Sequence, residues 1–454
     1  MNALTTAADT QQGRRLNLVL LFIGIMIVAA DKTVFAFAGP SIMDELHLSA
    51  AEFGMLGSAF FFLYSLAGIG GGLLTNVMQA RHVLLLLALI WAVCQFGIAI
   101  GTGLMSLIVF RVLLGVGAGP STAVVQLSCL KWFSEDKRVL PASAINAGLM
   151  TGILLSAASL PLIISHWGWR GSYLLLGVVS AVWALLWLLS GREGQASRGD
   201  DVPTAEHNDT RWLPYRELLL NRTFIGMSVL CFFGYMASAL GFSWTPTYMQ
   251  KGLALTPAHS GLVVMVIMLL VIPVVLLVSR TSQQWLQRKV RHHVAMVFLP
   301  VGCCALGGVA YLLMMFHDLP LIAKVLLLGV GFVLLNVQQS YGIIVCGSIS
   351  TPRQRGSLIG IHVAIATSAG IVAPMLAGWL VDANGGDIAR GYETCSSLVG
   401  LWTLLTAVAC LVFVRPQATI QTLHGGAEQT LQDSDAQAAD GEACASTTPT
   451  STTG

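Results

Sequence analysis

Twelve apolar runs of about 20 residues or more, each long enough to cross a bilayer core about 30 Å thick, dominate this 454-residue chain. They fall at 16–38, 53–74, 83–101, 104–127, 139–165, 171–190, 222–249, 260–279, 293–316, 319–347, 356–381 and 394–414. Hydrocarbon offers no partner to a backbone N–H or C=O, so such runs must be helices. The expected fold class is an all-α membrane protein of twelve transmembrane helices in two six-helix halves. A soluble globule is excluded, because only 10% of the residues are charged against about a quarter in soluble domains. The first run follows Arg14 and Arg15 with no small-residue cleavage site behind it. It reads as a retained helix rather than a signal peptide.

Basic residues orient the spans. With the N-terminus placed inside, eighteen of the 24 Lys and Arg fall on that side. Three (Arg170, Lys251, Arg390) fall on the other, and three (Lys32, Arg111, Lys324) lie within runs. Both termini are therefore expected in the cytoplasm, and the short loops fit a bacterial inner membrane. The expected organisation is a cytoplasmic N-terminus 1–15, a first bundle 16–190, a cytoplasmic loop 191–221, a second bundle 222–414 and a disordered cytoplasmic tail 415–454. A short echo joins the halves: Arg111-Val-Leu-Leu-Gly-Val-Gly in the fourth run and Lys324-Val-Leu-Leu-Leu-Gly-Val-Gly in the tenth. A substrate site between two such halves is the plan of one large class of transporters.

A net charge of +2 from scattered basic residues argues against a nucleic-acid partner. The nine cysteines lie mostly in apolar runs and read as packing residues, not disulfides or metal ligands. The loop histidines His166, His292 and His293 lack metal spacing, and no nucleophile motif or phosphate loop is present. Neither an enzyme nor a cofactor or metal site is expected. The partners are the bilayer and a small solute, and a monomer already provides a complete pathway.

Ionisable residues deep in a span are costly and usually face a cavity. Asp31 and Lys32 lie in the outer half of the first span, about 100° apart around the helix. Arg111 lies a third of the way into the fourth. An Asp31–Arg111 ion pair that fixes packing is one reading. It leaves Lys32 unmatched, because one carboxylate cannot neutralise two cations. An unbalanced cation in a low-dielectric cavity is a site for an anion, such as a substrate carboxylate. Asp31 would then couple protons to transport, pairing with a cation when ionised and freeing it when protonated. His362 in the eleventh span is a second candidate proton carrier, set against a packing role. Lys324, near a helix end, is expected to snorkel.

Uncharged polar residues supply the other candidate substrate contacts: Tyr64, Asn146, Tyr235, Tyr248, Gln338 and Thr367. Gln338 and Tyr341, three apart, are expected to share a face. Gly115, Gly117 and Gly119 before Pro120, and Gly68, Gly70, Gly71 and Gly72, offer close helix contacts. Gly241, Trp244 and Pro246 should bend the outer half of the seventh span, where a gate would form.

Several of these residues also fit one known pattern. Asp31-Lys32, Gly54 with Ser58-Ala59-Phe60 and Tyr64, Arg111 with Gly115 to Pro120, and Gly168-Trp169-Arg170 are joined by Trp244-Thr245-Pro246-Thr247-Tyr248 and Gly370-Ile371-Val372-Ala373-Pro374. With them the chain resembles the anion:cation symporter family of the major facilitator superfamily. The resemblance implies the major facilitator fold and proton-coupled movement of organic anions by alternating access. It places Lys32 at the family's carboxylate-binding Arg, Asp31 at the neighbouring Asp and Arg111 at the fourth-span Arg. The departures are Ala118 in place of a proton-coupling Glu, Lys for Arg at 32, which loses the bidentate fork, Asn76-Val77 for an Asp-Arg pair, and Thr367 for a common Asn.

The expected function is import of a small organic anion, a sugar acid or other carboxylate, with a proton. The alternatives are an exporter of the same fold, an uncoupled anion exchanger, or an amino-acid or other zwitterion transporter. A transport-inactive receptor ranks last, since neither the loop nor the tail has the apolar content to build an output domain.

Overall fold

A computed structural model describes residues 2–133, 138–194, 212–288, 293–351 and 353–425. The tail beyond 425, the loop segment 195–211 and His292 lie outside the described residues, as do the surroundings of Gly71, Gly72 and Asn76. The first six spans are built from α1 (Asn2–Leu46), α2 (Ala50–Val77), α3 (Ala80–Ile100), α4 (Leu104–Ala118), α5 (Ser121–Leu130) and α6 (Val139–Ser190). After a short α7 (Tyr215–Leu219) come α8 (Arg222–Gly241), α9 (Thr245–Thr247), α10 (Pro257–Gln287), α11 (Leu299–Leu312), α12 (Leu321–Ser348), α13 (Arg355–Ala383), α14 (Ile388–Phe413) and α15 (Pro416–Ile420).

Among the described residues eleven helices are long and apolar enough to cross a membrane. One of them, Leu140–Ser190, has 51 residues. At 1.5 Å per residue it would run about 77 Å, more than two bilayer cores. It breaks at Gly168, whose φ of 69° and ψ of 174° lie where glycine alone is at ease. The break divides it into the fifth and sixth spans, and the total is twelve. The fourth span is α4 and α5 joined through Gly119-Pro120. Polar caps start the helices at the membrane edges. Ser49 and Glu52 form a reciprocal capping box on α2, Asn221 caps α8, Thr256 caps α10 and Asp387 caps α14.

Helix pairing repeats between the halves. In the first, α1 packs on α6, α2 on α4, and α3 on α6; in the second, α8 packs on α13, α10 on α12, and α11 on α14. The Arg111 and Lys324 echoes thus occupy matching helices. Glycines set the close approaches. A Cβ at Gly115 would stand 2.1 Å from the Phe60 carbonyl oxygen, and one at Gly119 would stand 2.3 Å from that of Tyr64. Gly117 turns instead to Ile90 and Trp91 on α3. Gly70 makes no such contact, contrary to the expectation for its stripe, since a Cβ there would meet nothing within 4 Å.

The halves meet at the end of the bundle opposite the chain termini. Asp382 of α13 accepts from the first amides of α2, Ala50 at 3.2 Å and Ala51 at 2.9 Å, where the helix dipole favours a carboxylate. Lys251 pairs with Asp44, and the Met375 amide donates to Ser58 Oγ at 3.1 Å. Gly54 and Gly57 lie on Pro374, Gly378 on the Ala50 carbonyl, and Phe61 on Gly370. Towards the termini the same two helices part: Gly70 on α2 and Gly356 and Gly360 on α13 have open space beside them. The molecule is closed at one end and open at the other.

The seventh span breaks where Gly241, Trp244 and Pro246 predict. Helix α8 stops at Gly241, and the chain continues through α9 into a π-helical turn at Tyr248–Gly252. Trp244, fully buried, donates to the Pro374 carbonyl at 3.0 Å and meets Phe53 of α2 edge-on. The tail departs from expectation. It does not loosen at 415 but runs on through α15 and a π-helical turn to Gly425, with Pro416 fixing the first turn.

Candidate functional site

Walking along α2 from the closed end, Gly54, Gly57 and Phe61 touch α13 at successive turns. The next turn carries Tyr64, which is half-buried. Its hydroxyl accepts from Lys32 Nζ at 2.7 Å, and the ammonium lies 4.7 Å from the ring centroid. Phe60 and Phe61 pack against Tyr64, and Phe61 meets Tyr235 of the other half at 6.2 Å between centroids. Lys32, Tyr64 and Tyr235 are each half-buried, and this aromatic shelf joins the two halves.

Lys32 makes no ion pair among the described residues. A phenol satisfies one of its three donors and none of its charge. The neighbouring carboxylate is turned away. Asp31, fully buried, accepts from Gln95 Nε2 of α3, and its Oδ2 has no hydrogen-bond partner.

Arg111 does not meet Asp31, so the ion pair considered from sequence is not formed. It lies 3% exposed, with Nε donating to the Leu56 carbonyl at 3.2 Å and Nη2 to that of Gly57 at 3.5 Å. Its guanidinium stacks 3.7 Å from the Phe35 centroid, a cation–π contact that replaces lost solvation. These partners make it a brace between α1, α2 and α4.

The remaining sequence candidates scatter. Asn146 is exposed on α6. Thr367 turns its hydroxyl back to the Val363 carbonyl at 2.9 Å. Gln338 is wedged against Gly234 and accepts weakly from Cys304. Tyr341 donates to the Val278 carbonyl of α10 at 3.3 Å. His362 is 2% exposed, shares a hydrogen bond with Ser228 Oγ at 2.9 Å and lies beside Cys346. Tyr248 stacks on Tyr392 at 4.3 Å and donates to Glu393 at 2.9 Å.

Glu393 is the group that sequence reasoning missed. It is 1% exposed and is held by Lys324 Nζ at 2.6 Å, His317 Nδ1 at 2.9 Å and Tyr248. Lys324 therefore does not snorkel. The detectable signal was Glu393 itself, an acid beside the start of the twelfth run with a lysine in the tenth to match it.

A family model described as Major Facilitator Superfamily matches residues 21–343. The "Hexuronate transporter" of Bacillus subtilis is 24% identical over 412 residues, covering 88% of this chain and 94% of that one. The "D-galactonate transporter" of Escherichia coli O6:H1 is 26% identical over 281 residues, 58% of this chain and 65% of that one. Among solved structures, an inward-facing bacterial homologue of the human lysosomal transporter Spinster has a TM-score of 0.74 at 15% identity, covering 90% of this chain and 98% of that one. A D-xylose–proton symporter has a TM-score of 0.67 at 14% identity, with 88% and 98% covered. Fold, spans and relatives agree: the chain is a multi-pass membrane transporter, not an enzyme, and it belongs to the Major Facilitator Superfamily.

Proposed function

We propose that this transporter carries a small sugar acid, a hexuronate or an aldonate, inward together with a proton. The observation that carries the reading is Lys32, a half-buried ammonium beside the contact between the halves, held by a phenol and matched by no carboxylate among the described residues. A substrate carboxylate completes that site by charge, and we assign Tyr64 and Tyr235 to the hydroxyls of a sugar chain. Arg111 contributes positive potential from behind the shelf while its donors stay on the α2 carbonyls. The names of the hexuronate and galactonate relatives support the class. The bias of basic residues puts the termini in the cytoplasm, so the open end faces inward and the Trp244 end is the outer gate. Asp31, the buried acid next to Lys32, is the proton carrier. His362, enclosed by Ser228 and Cys346, serves packing.

Thermal unfolding of the purified protein tests the substrate class. A ligand that binds only the folded state stabilises it by about 2.7 kcal/mol at a hundred times its Kd. D-Glucuronate or D-galactonate is expected to raise Tm by several degrees, with neutral D-galactose giving no shift. A shift with an amino acid and none with any sugar acid would remove the assignment.

A further inference from the structure

Asp31 and Gln95 are a closed pair with an imbalance. Gln95, fully buried on α3, donates its amide N–H to Asp31 Oδ1. Two acceptors are left, Asp31 Oδ2 and Gln95 Oε1, and neither has a hydrogen-bond donor. An unsatisfied buried acceptor is expensive, and a charged one more so. Both belong to the same pair, whose two groups are already joined through Gln95 Nε2 and Asp31 Oδ1. A carboxylic acid and a primary amide of this kind associate through two parallel hydrogen bonds.

We infer that Gln95 is a positioning residue for proton uptake, holding Asp31 so that one proton on Oδ2 closes a two-armed acid–amide pair across α1 and α3. The proposal rests on the reading of Asp31 as the proton carrier. A proton from cavity water joins Oδ2 and is donated to Gln95 Oε1, while Gln95 Nε2–H continues to donate to Oδ1. The carboxylate charge is neutralised, and both orphaned acceptors are satisfied by that single proton. On release the proton returns to water, and Gln95 keeps its one donation to the anion.

The partner suits this task because it is neutral and two-faced. An arginine at 95 would hold Asp31 ionised, and a leucine would satisfy neither form. The other titratable groups facing Asp31 are Lys32 on its own helix, Cys94 on α3 and Tyr173 on α6, with Arg111 of α4 beyond Tyr173. Lys32 gains from the event, because protonation removes the nearest negative charge and leaves the ammonium to an anion.

Infrared difference spectra of the purified protein, titrated from acid to alkaline pH, read the carboxylic C=O stretch directly and need no substrate. The wild type is expected to show a titrating band that Asp31→Asn abolishes; if the band survives in Asp31→Asn, the reading beneath the proposal is wrong. Gln95→Leu is expected to keep the band but move it to higher frequency, as for a carbonyl that has lost a donor. Its half-titration pH is expected to move by about one unit or more, the scale of a lost charge-assisted hydrogen bond. Gln95→Glu, of the same shape, covers the case in which Gln95→Leu does not fold. Two carboxyls sharing one proton titrate in two steps. A wild-type frequency and midpoint in Gln95→Leu, or a single wild-type step in Gln95→Glu, overturns the proposal while leaving Asp31 as the carrier.

Discussion

Lys324→Met will destabilise the folded protein by about 3–5 kcal/mol, the cost of leaving one member of a buried ion pair without its partner. Glu393 is 1% exposed and Lys324 is 12% exposed, with Nζ to Oε1 at 2.6 Å. His317 and Tyr248 remain as hydrogen-bond partners in the variant, but neither brings a permanent positive charge. The double variant Lys324→Met with Glu393→Gln removes both charges and keeps an acceptor for the Tyr248 hydroxyl. It is expected to regain most of the loss. Denaturant unfolding of wild type, both single variants and the double variant closes the cycle. Additive losses would show that the pair is not coupled.

The pair also holds Tyr248, and through it the segment behind Trp244. Tyr248 begins the π-helical turn behind Trp244, and its hydroxyl ends on Glu393 while its ring lies on Tyr392. Thr245 of the same segment shares a hydrogen bond with the Tyr392 hydroxyl at 2.7 Å. The segment that seals the closed end is thus fastened on one side to α14 and on the other to Phe53 and Asp44 of the first half.

Lys32→Ala is expected to weaken D-galactonate binding by about 10- to 150-fold, which corresponds to the 1.5–3 kcal/mol of a hydrogen bond to a charged group. Lys32→Arg keeps the charge and should stay within about tenfold of wild type, since the guanidinium supplies the fork as well. Tyr64→Phe removes the phenol that holds the ammonium and should fall between them. Calorimetric titration of the three variants orders them. Equal affinity in wild type and Lys32→Ala would show that the carboxylate binds elsewhere.

Hydropathy carried most of the fold. Each span is long and apolar, and nothing competes with helix in hydrocarbon. Even the break at Gly168 was legible, because the apolar runs 139–165 and 171–190 are already separate in the sequence. The site was less so, since a helix's sequence does not say which way a side chain turns when several neighbours would accept it. Arg111 had Asp31 as its obvious partner by charge, yet it settles on two carbonyls and an aromatic face. Tyr248 and Gln338 are candidates as uncharged polar residues in spans, and in the structure they pack on Glu393 and Gly234. Glu393 was hidden by the boundary drawn at 394, and with it out of account Lys324 had no visible partner. Gln95 carries no charge and sits in an otherwise apolar run, so only its contact with Asp31 singles it out.

Proton-driven uptake of labelled D-galactonate into proteoliposomes tests the central claim most directly, with wild type and Asp31→Asn compared under an imposed gradient and in equilibrium exchange. An amide at 31 can form the same two-armed pair with Gln95 permanently, so the variant mimics the protonated form. The account predicts that an inward proton gradient drives accumulation in the wild type, and that Asp31→Asn exchanges the anion but accumulates none. Accumulation by Asp31→Asn at the wild-type level, or a wild type indifferent to the gradient, would contradict it.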